Sequence, residues 1–418
     1  MTPAEKLAAL NQVLQHARIS PLYRARIPSE PLSSVAELRT IPLTTKEDLR
    51  RHSPFGVLCV PREELSQYHE TFGTTGTPVS TWFTKDDVLA NATEIILSGI
   101  GLNTTDIVLV RFPYAISAVA HMVHAAAQLK GACVIPASAR STVSPFPRIV
   151  NMLQRLDVTV LACLPLQAIL IAETAELLGL NPAKDFPSLR AILTAGEPLT
   201  SGRRKLLEDV WGLPIIDVYG MAEIGTAITD CEYGHPHPLE DYFIFEILDE
   251  DLETEVPPGK LGYLVITTLR KKATPVIRYL TEDRARVIHK NCPCGRSLWL
   301  EVHGRKQDTI LLRNRTLDLW DLDEIVSNLP CRRFWVVGAE AEGLHFIIEE
   351  EKTGDSISDD LVRLLEKKYQ LKLQFEIVPK GTIYDRSELL AIAEVGKPRY
   401  IYSAEEIKRG AYLKAART

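Results

Sequence analysis

Residues 71–78 read Thr71-Phe72-Gly73-Thr74-Thr75-Gly76-Thr77-Pro78. Two glycines three apart allow tight turns and close backbone approach. The hydroxyls of Thr71, Thr74, Thr75 and Thr77 stand beside backbone N–H groups, a composition suited to cradling a polyphosphate. Ser80-Thr81-Trp82-Phe83-Thr84 follows and is rich in strand formers, so the loop is predicted to lead into a strand. It is not the common nucleotide-binding loop, because no Gly-Lys-Ser/Thr ends it and no helical pattern follows at once. The same letters suit a polar hairpin loop, and the rest of the chain has to choose.

Around this loop the pattern is layered. Leu7, Leu10, Val13 and Leu14 fall at helical spacing in a helical lead-in over residues 1–70. Strand-like runs at Ile107–Val110, Cys133–Pro136, Val158–Leu161 and Ala191–Thr194 then alternate with helical stretches at His121–Gly131 and Leu166–Leu178. This βαβα rhythm predicts a mostly parallel sheet covered by helices, with ligands at the carboxyl ends of its strands. After about residue 240 the chain turns β-rich, at Phe243–Ile247 and Tyr263–Thr268. From 309 a smaller α/β unit begins, with strands at Trp335–Gly338, Phe346–Glu349 and Phe375–Val378 and a helix at Asp359–Lys368. The 418 residues exceed the roughly 250–300 that one core supports. The division is placed as domains 1–304 and 305–418, with a hinge at 304–308.

Bulk properties remove several function classes. A formal charge of −6 argues against broad nucleic-acid or anionic-membrane binding. No run approaches the ~18 apolar residues of a membrane span, and the first residues lack an apolar signal core. Seven cysteines spread over this length do not suggest a disulfide framework, so the expected location is the cytoplasm. Oligomeric state is not legible; a homodimer is one arrangement left open.

Five motifs follow the loop in fixed order: Ala195-Gly196-Glu197-Pro198, Tyr219-Gly220-Met221-Ala222-Glu223, Arg278-Tyr279-Leu280-Thr281-Glu282-Asp283, Gly304-Arg305-Lys306-Gln307-Asp308 and Gly396-Lys397-Pro398-Arg399. With Thr71–Pro78 they resemble the adenylate-forming, acyl-activating ligases, most closely the phenylacetate–coenzyme A ligase family. Ile41–Leu49, Thr274–Tyr279 and Cys292–Arg296 extend the resemblance over essentially the whole chain. It implies an α/β fold: a large multi-layer N-terminal domain with parallel and mixed sheets, and a small mobile α+β C-terminal domain.

The resemblance further implies a reaction in which a small-molecule carboxylic acid and ATP give an acyl-adenylate and pyrophosphate, after which the acyl group passes to a thiol. That thiol is coenzyme A or the phosphopantetheine arm of a carrier protein. Attack of a carboxylate on a phosphate is dominated by positioning and charge neutralisation. By the resemblance Thr71, Gly73, Thr74, Thr75, Gly76 and Thr77 hold phosphates, and Glu223 is a Mg²⁺ ligand, a hard oxygen donor of the kind that ion requires. Tyr219 would stack on adenine with Gly196 and Glu197 at its edge. Pro198, Asp217, Gly220, Met221 and Ala222 complete the nucleotide set. Asp283 would accept from both ribose hydroxyls, Arg305 would hold ribose or phosphate, and Lys397 would bring a point charge to the reacting phosphate and carboxylate.

The chain departs from the family pattern in places. Thr77 stands where a lysine is common and Gln307 where an acidic residue is usual. Asn314–Leu319 replaces a Gly-x-Asn-x-x-Pro-like loop that helps form the thiol channel. These departures support a rival reading, a nucleotide-binding protein that has lost catalysis. The acid pocket is expected from Tyr114, Ser117, Ala118, His121, His124 and Ala195. Val119 and Ala120 stand where phenylacetate members are glycine-rich, so an altered or shorter acid is expected. Phe112 precedes Pro113 rather than the aspartate of amino-acid-activating relatives, which favours an aryl or small organic acid.

Separate from these, Cys292-Pro293-Cys294-Gly295 has the look of a metal knuckle. Cys231, His235 and His237 lie some 60 residues earlier. Two such clusters flanking a β-rich segment can meet as a Cys₃His zinc site made of Cys231, His237, Cys292 and Cys294, with His237 preferred to His235; reduced buried thiols are the alternative.

Overall fold

The structure, a computed structural model, describes residues 1–71, 77–139, 141–306, 308–312, 315–340, 343–386 and 399–414. Helix α1 (Pro3–Ala17) opens the chain with a capping box between Thr2 and Glu5, and buries Leu10, Val13, Leu14 and Ala17. Helix α2 (Lys46–His52) carries a second capping box, Thr45 with Asp48. The 1–70 stretch is not wholly helical: β1 (Leu65–Glu70) pairs antiparallel with β2 (Ser80–Thr84). The strand expected after the Thr/Gly stretch is therefore β2, and β1 before it is its hairpin partner.

Helix α3 (Lys85–Ile96) leads to a seven-stranded sheet made of β3 (Ile107–Val110), β4 (Cys133–Pro136), β5 (Val160–Cys163), β6 (Ala191–Ala195), β7 (Ile215–Met221), β8 (Gly225–Asp230) and β9 (Pro236–Pro238). Its order is β4-β3-β5-β6-β7-β8-β9. The pairs from β4 to β7 are parallel; β8 and β9 add antiparallel. Helices α4 (Ala118–Leu129), α5 (Phe146–Arg155), α6 (Pro165–Leu177) and α7 (Ser201–Trp211) form the crossovers. Strands β3 and β5 are wholly apolar, and β6 is apolar but for Thr194, because both faces are covered.

A second sheet is an antiparallel meander of β10 (Phe243–Leu248), β11 (Gly262–Thr268), β12 (Tyr279–His289) and β13 (Leu298–Arg305). It shares a core with α1 and β8 through Leu10, Ile228, Phe243, Leu264 and Tyr279. Beyond Arg305 come the hairpin β14 (Ile310–Leu312) and β15 (Arg315–Leu317), and helix α8 (Leu319–Val326). The last sheet comprises β16 (Trp335–Ala339), β17 (Gly343–Glu349), β18 (Lys372–Val378) and β19 (Ile401–Tyr402), covered by α9 (Asp359–Tyr369). Its core, with Leu322, Trp335, Val337 and Phe346, is distinct, while Phe334, Val336 and Ile347 on its other face join the core of α5–α7.

Candidate active site

The carboxyl end of β6 runs into Gly196, whose φ of +82° is the left-handed region that favours glycine; a Cβ there would lie 3.1 Å from Leu164 Cδ2. The turn sends Glu197 across the sheet, where its Oε2 accepts from Leu166 N at 3.1 Å at the start of α6. Pro198 is exposed beside it, and a Cβ built on Gly304 would sit 3.5 Å from its Cγ. Pro198 thus abuts Gly304, where the 304–308 segment begins. Ala195 itself is buried as the last residue of β6.

One strand over, β7 carries the next cluster. Thr194 Oγ1 donates to Asp217 at 2.5 Å, and Asp217 N donates to Asp230, which also pairs with Arg204 at 2.6 Å. Burial and the neighbouring Asp230 push the Asp217 carboxyl up. The Tyr219 hydroxyl donates to Asp283 Oδ2 at 2.7 Å. Gly220 passes so close to Gly225 that any Cβ would strike the Gly225 carbonyl at 2.3 Å, which makes the tight β7–β8 turn a glycine-only arrangement. That turn holds Met221, Ala222 and Glu223, the last only 2% exposed.

Glu223 Oε1 accepts from the Tyr279 hydroxyl at 3.1 Å, whereas Oε2 is buried with no hydrogen-bond partner among the described residues. A buried carboxylate oxygen left without a donor is the arrangement a Mg²⁺ ligand calls for, so the residues present fit that ion. Asp283 and Arg305 face each other as a cross-strand pair of β12 and β13, with Arg305 Nε 3.8 Å from Asp283 Oδ1. Tyr219, Glu223, Asp283 and Arg305 therefore converge where the seven-stranded sheet meets the meander.

Of the Thr/Gly loop expected to hold phosphates, the two ends lie among the described residues. Thr71 Oγ1 accepts from Val79 N at 3.1 Å and Thr71 N donates to Val79 O, while Thr77 is exposed. Gly73, Thr74, Thr75, Gly76 and Lys397 lie outside the described residues, as do Gln307 and Asn314.

The expected acid-pocket residues form a contiguous wall at the start of α4. Tyr114 hydroxyl and His124 Nδ1 are hydrogen-bonded at 3.1 Å, and His121 Nε2 donates to Tyr114 O at 3.0 Å. Ala118 is buried, and Ser117 precedes the helix as its N-cap residue. Burial pushes the Tyr114 phenol up to about 12.

Three residues without a role in the motif reading complete the arrangement. His69, two residues before the loop, lies 5.1 Å ring to ring from His121, donates from Nδ1 to Ile116 O, and is held down to about 4 by burial. Lys271 is buried and donates to Glu223 O at 2.6 Å and Ala222 O at 3.3 Å, with its Nζ 4.7 Å from the Phe83 ring centroid. Burial pushes the Lys271 ammonium down to about 8, against the pull of Asp87, Glu223 and Glu94. Tyr279 was visible as a motif letter, but its bond to Glu223 depends on strand register. Lys271, Phe83 and His69 link the Glu223 turn to the His121 wall.

The metal-ligand candidates stand elsewhere. Cys231, His237, Cys292 and Cys294 come together with all four ligand atoms within 4.8 Å of one another; Cys231 and Cys292 lie beyond the C-terminal ends of β8 and β12, whereas Glu223 precedes β8 and Asp283 lies within β12.

The fold is that of the adenylate-forming ligases. It superposes with a TM-score of 0.86 on a crystal structure of 2-hydroxyisobutyryl-CoA ligase in the postadenylation state, in complex with R3-HIB-AMP, at 22% identity over 100% of this chain and 92% of that one. With the same ligase in the thioesterification state, in complex with 2-HIB-AMP and CoA, the TM-score is 0.69 at 23% identity, over 99% and 92% of the two chains. The AMP-binding enzyme family profile matches residues 43–269. A phenylacetate–coenzyme A ligase of Thermus thermophilus is 30% identical over 347 residues, 78% of this chain and 77% of that protein. The chain belongs to the AMP-binding enzyme family, as an AMP-forming acid–thiol ligase of the phenylacetate–coenzyme A ligase type.

Proposed function

We propose that the protein activates a small carboxylic acid, aryl or short-chain, as its adenylate and passes the acyl group to coenzyme A. In the first step a carboxylate oxygen bonds to the α-phosphorus of ATP as the bond to pyrophosphate breaks. In the second, the thiol sulfur bonds to the acyl carbon, AMP departs, and the thiol proton goes to solvent. The observation that carries this reading is Glu223, buried, with one oxygen fixed by Tyr279 and the other without a donor, beside the Tyr219–Asp283 pair.

In this reading Asp283 and Arg305 hold the ribose, Tyr219 and residues 195–198 frame the adenine, and Thr71 and Thr77 flank the phosphates. Lys397 is assigned to the α-phosphate by its motif. Magnesium, held by Glu223, supplies positive charge across the phosphates. The wall of Tyr114, His121 and His124 receives the acid. Its lining of one phenol and two imidazole rings, hydrogen-bonded to one another, suits an uncharged acyl body.

We read 1–304 and 305–418 as two bodies that turn about 304–308 between the half-reactions, as closing and opening steps do in many enzymes. The higher TM-score against the postadenylation state supports assigning the present arrangement to adenylation. Contacts that such a turn must exchange include Arg203 to Arg333 O at 2.9 Å and to the Tyr400 hydroxyl at 2.8 Å. Buried Glu173 adds ion pairs with Arg333, Lys380 and Arg386.

Pyrophosphate exchange with a panel of aryl and short-chain acids, followed by thioester formation with coenzyme A, tests the reading. Exchange with thioester product supports it. Exchange without thioester transfers the acceptor role to a carrier-protein arm, and no exchange with any acid overturns catalysis altogether.

A further inference from the structure

We infer that Cys231, His237, Cys292 and Cys294 form a closed tetrahedral zinc site that fastens the edge of the seven-stranded sheet to the end of the meander. Cys231 follows β8 and His237 lies in β9, joined by a turn in which Gly234 N donates to Cys231 O at 2.9 Å. Cys292 and Cys294 occupy the β12–β13 turn, closed by Cys292 N to Arg296 O at 2.8 Å and by Gly295 at a φ of +90°.

The spacing of the donor atoms is that of a coordination shell. Cys231 Sγ and Cys292 Sγ are 3.6 Å apart, and Cys294 Sγ and His237 Nε2 are 3.4 Å apart. With Zn–S of about 2.3 Å and Zn–N of about 2.0–2.1 Å, a regular tetrahedron has S···S edges of about 3.8 Å and S···N edges of about 3.6 Å. A disulfide needs its sulfurs at about 2.05 Å, far closer than these. The histidine is prepared as a ligand: His237 Nδ1 donates to Leu298 O at 2.7 Å, which fixes the tautomer and leaves Nε2 with its lone pair toward the sulfurs. His235 plays a supporting part, with its Nδ1 3.2 Å from Cys292 Sγ and its ring stacked on Trp299 at 4.0 Å. Cys231, His237 and Cys292 are buried and Cys294 is half-buried; four protein ligands fill the tetrahedron and leave no position for a substrate, so the role is structural.

The inference does not depend on the ligase reading. Purified without chelators, the full chain is expected to carry about one zinc per chain by inductively coupled plasma mass spectrometry. Co²⁺ exchanged into the wild-type chain should give the visible bands of a tetrahedral thiolate site. Cys294→Ser and, separately, His237→Ala should lower the zinc content at least about threefold, a readout that a merely packed thiol cluster would not move. On zinc removal, hydrogen exchange should rise first in residues 225–238 and 285–300 and the Tm should fall by about 5 °C or more. Under about 0.3 zinc per chain, with no uptake when one equivalent of zinc chloride is added, overturns the site. Uptake with no local change in exchange overturns the fastening role.

Discussion

The Tyr219 hydroxyl donates to Asp283 Oδ2 at 2.7 Å, and that bond joins two sheets, since Tyr219 ends the parallel run and Asp283 lies in the meander. Asp283 is 8% exposed and also faces Arg305. Burial and the adjacent carboxylate push the Tyr219 phenol up, so it stays a donor across the working pH range. Asp283→Ala is expected to weaken ATP binding by about 10–100-fold, the worth of charge-assisted hydrogen bonds at 1.5–3 kcal/mol. Tyr219→Phe should cost less, because Arg305 remains beside the carboxylate. Isothermal titration with ATP separates the two; equal losses would count against Asp283 as the ribose acceptor.

Glu223→Gln keeps the shape and the Tyr279 contact but removes the charge. Pyrophosphate exchange should fall by about 10²-fold or more, as for loss of one preorganised electrostatic group, and should need more Mg²⁺ to reach half-maximum. Thermal stability should hold or rise, because a buried carboxylate is costly when no ion accompanies it. An unchanged Mg²⁺ dependence would remove Glu223 from the metal.

Lys271 acts through that same turn. Lys271→Met removes the donor to the Glu223 and Ala222 carbonyls. Leaving those buried acceptors without their partner costs about 1–3 kcal/mol, read as a lower urea midpoint. Lys271→Arg should not restore it, since a guanidinium does not fit a site built for a compact ammonium. A positioning role predicts a raised Mg²⁺ requirement in the surviving folded fraction, which a purely packing role does not.

His303 Nδ1 donates to Asp318 Oδ2 at 2.6 Å, and the pair spans the 304–308 segment; the His303 ring also stacks on Trp320 at 4.8 Å. Burial opposes charge on His303, but its bond to Asp318 and the Glu301 carboxylate 3.8 Å from Nε2 outweigh it and raise the ring above its ordinary value. Burial likewise opposes the Asp318 carboxylate, which His303 nevertheless holds below the usual range. The raised histidine contributes stability fully below about pH 6.5 and loses it as pH rises through the folded value. The lowered aspartate contributes above about pH 4 and loses it as pH falls through its own folded value. The difference in Tm between wild type and His303→Gln should therefore be largest between these limits and shrink on the alkaline side. A flat difference across pH 5–9 would contradict the pairing.

Much of this was legible in the chain. The strands at Ile107–Val110, Cys133–Pro136 and Ala191–Ala195 are short β-branched or apolar runs between helical stretches, and they lie within a residue of their expected bounds. The strand expected at Val158–Leu161 sits two residues later, at Val160–Cys163, since Cys163 is as buried as its neighbours and continues the ladder to Thr194. Strand β1 has no signature in the sequence because Leu65–Glu70 is polar and half-exposed, and only its pairing with Ser80–Thr84 makes it a strand.

What the amino-acid sequence determined by itself was local: the strand after the Thr/Gly stretch, the order of the motifs, the alternation that makes a covered parallel sheet, and the Cys-x-Cys turn. These depend on backbone freedom and periodicity within a few residues. Only the tertiary structure decided which distant letters meet. It placed Tyr279 on Glu223, Lys271 under the same turn, His69 against His121, and Cys231 and His237 beside Cys292 and Cys294. Such meetings are set by strand register and by how two sheets pack, and neither is encoded in any short window of the chain.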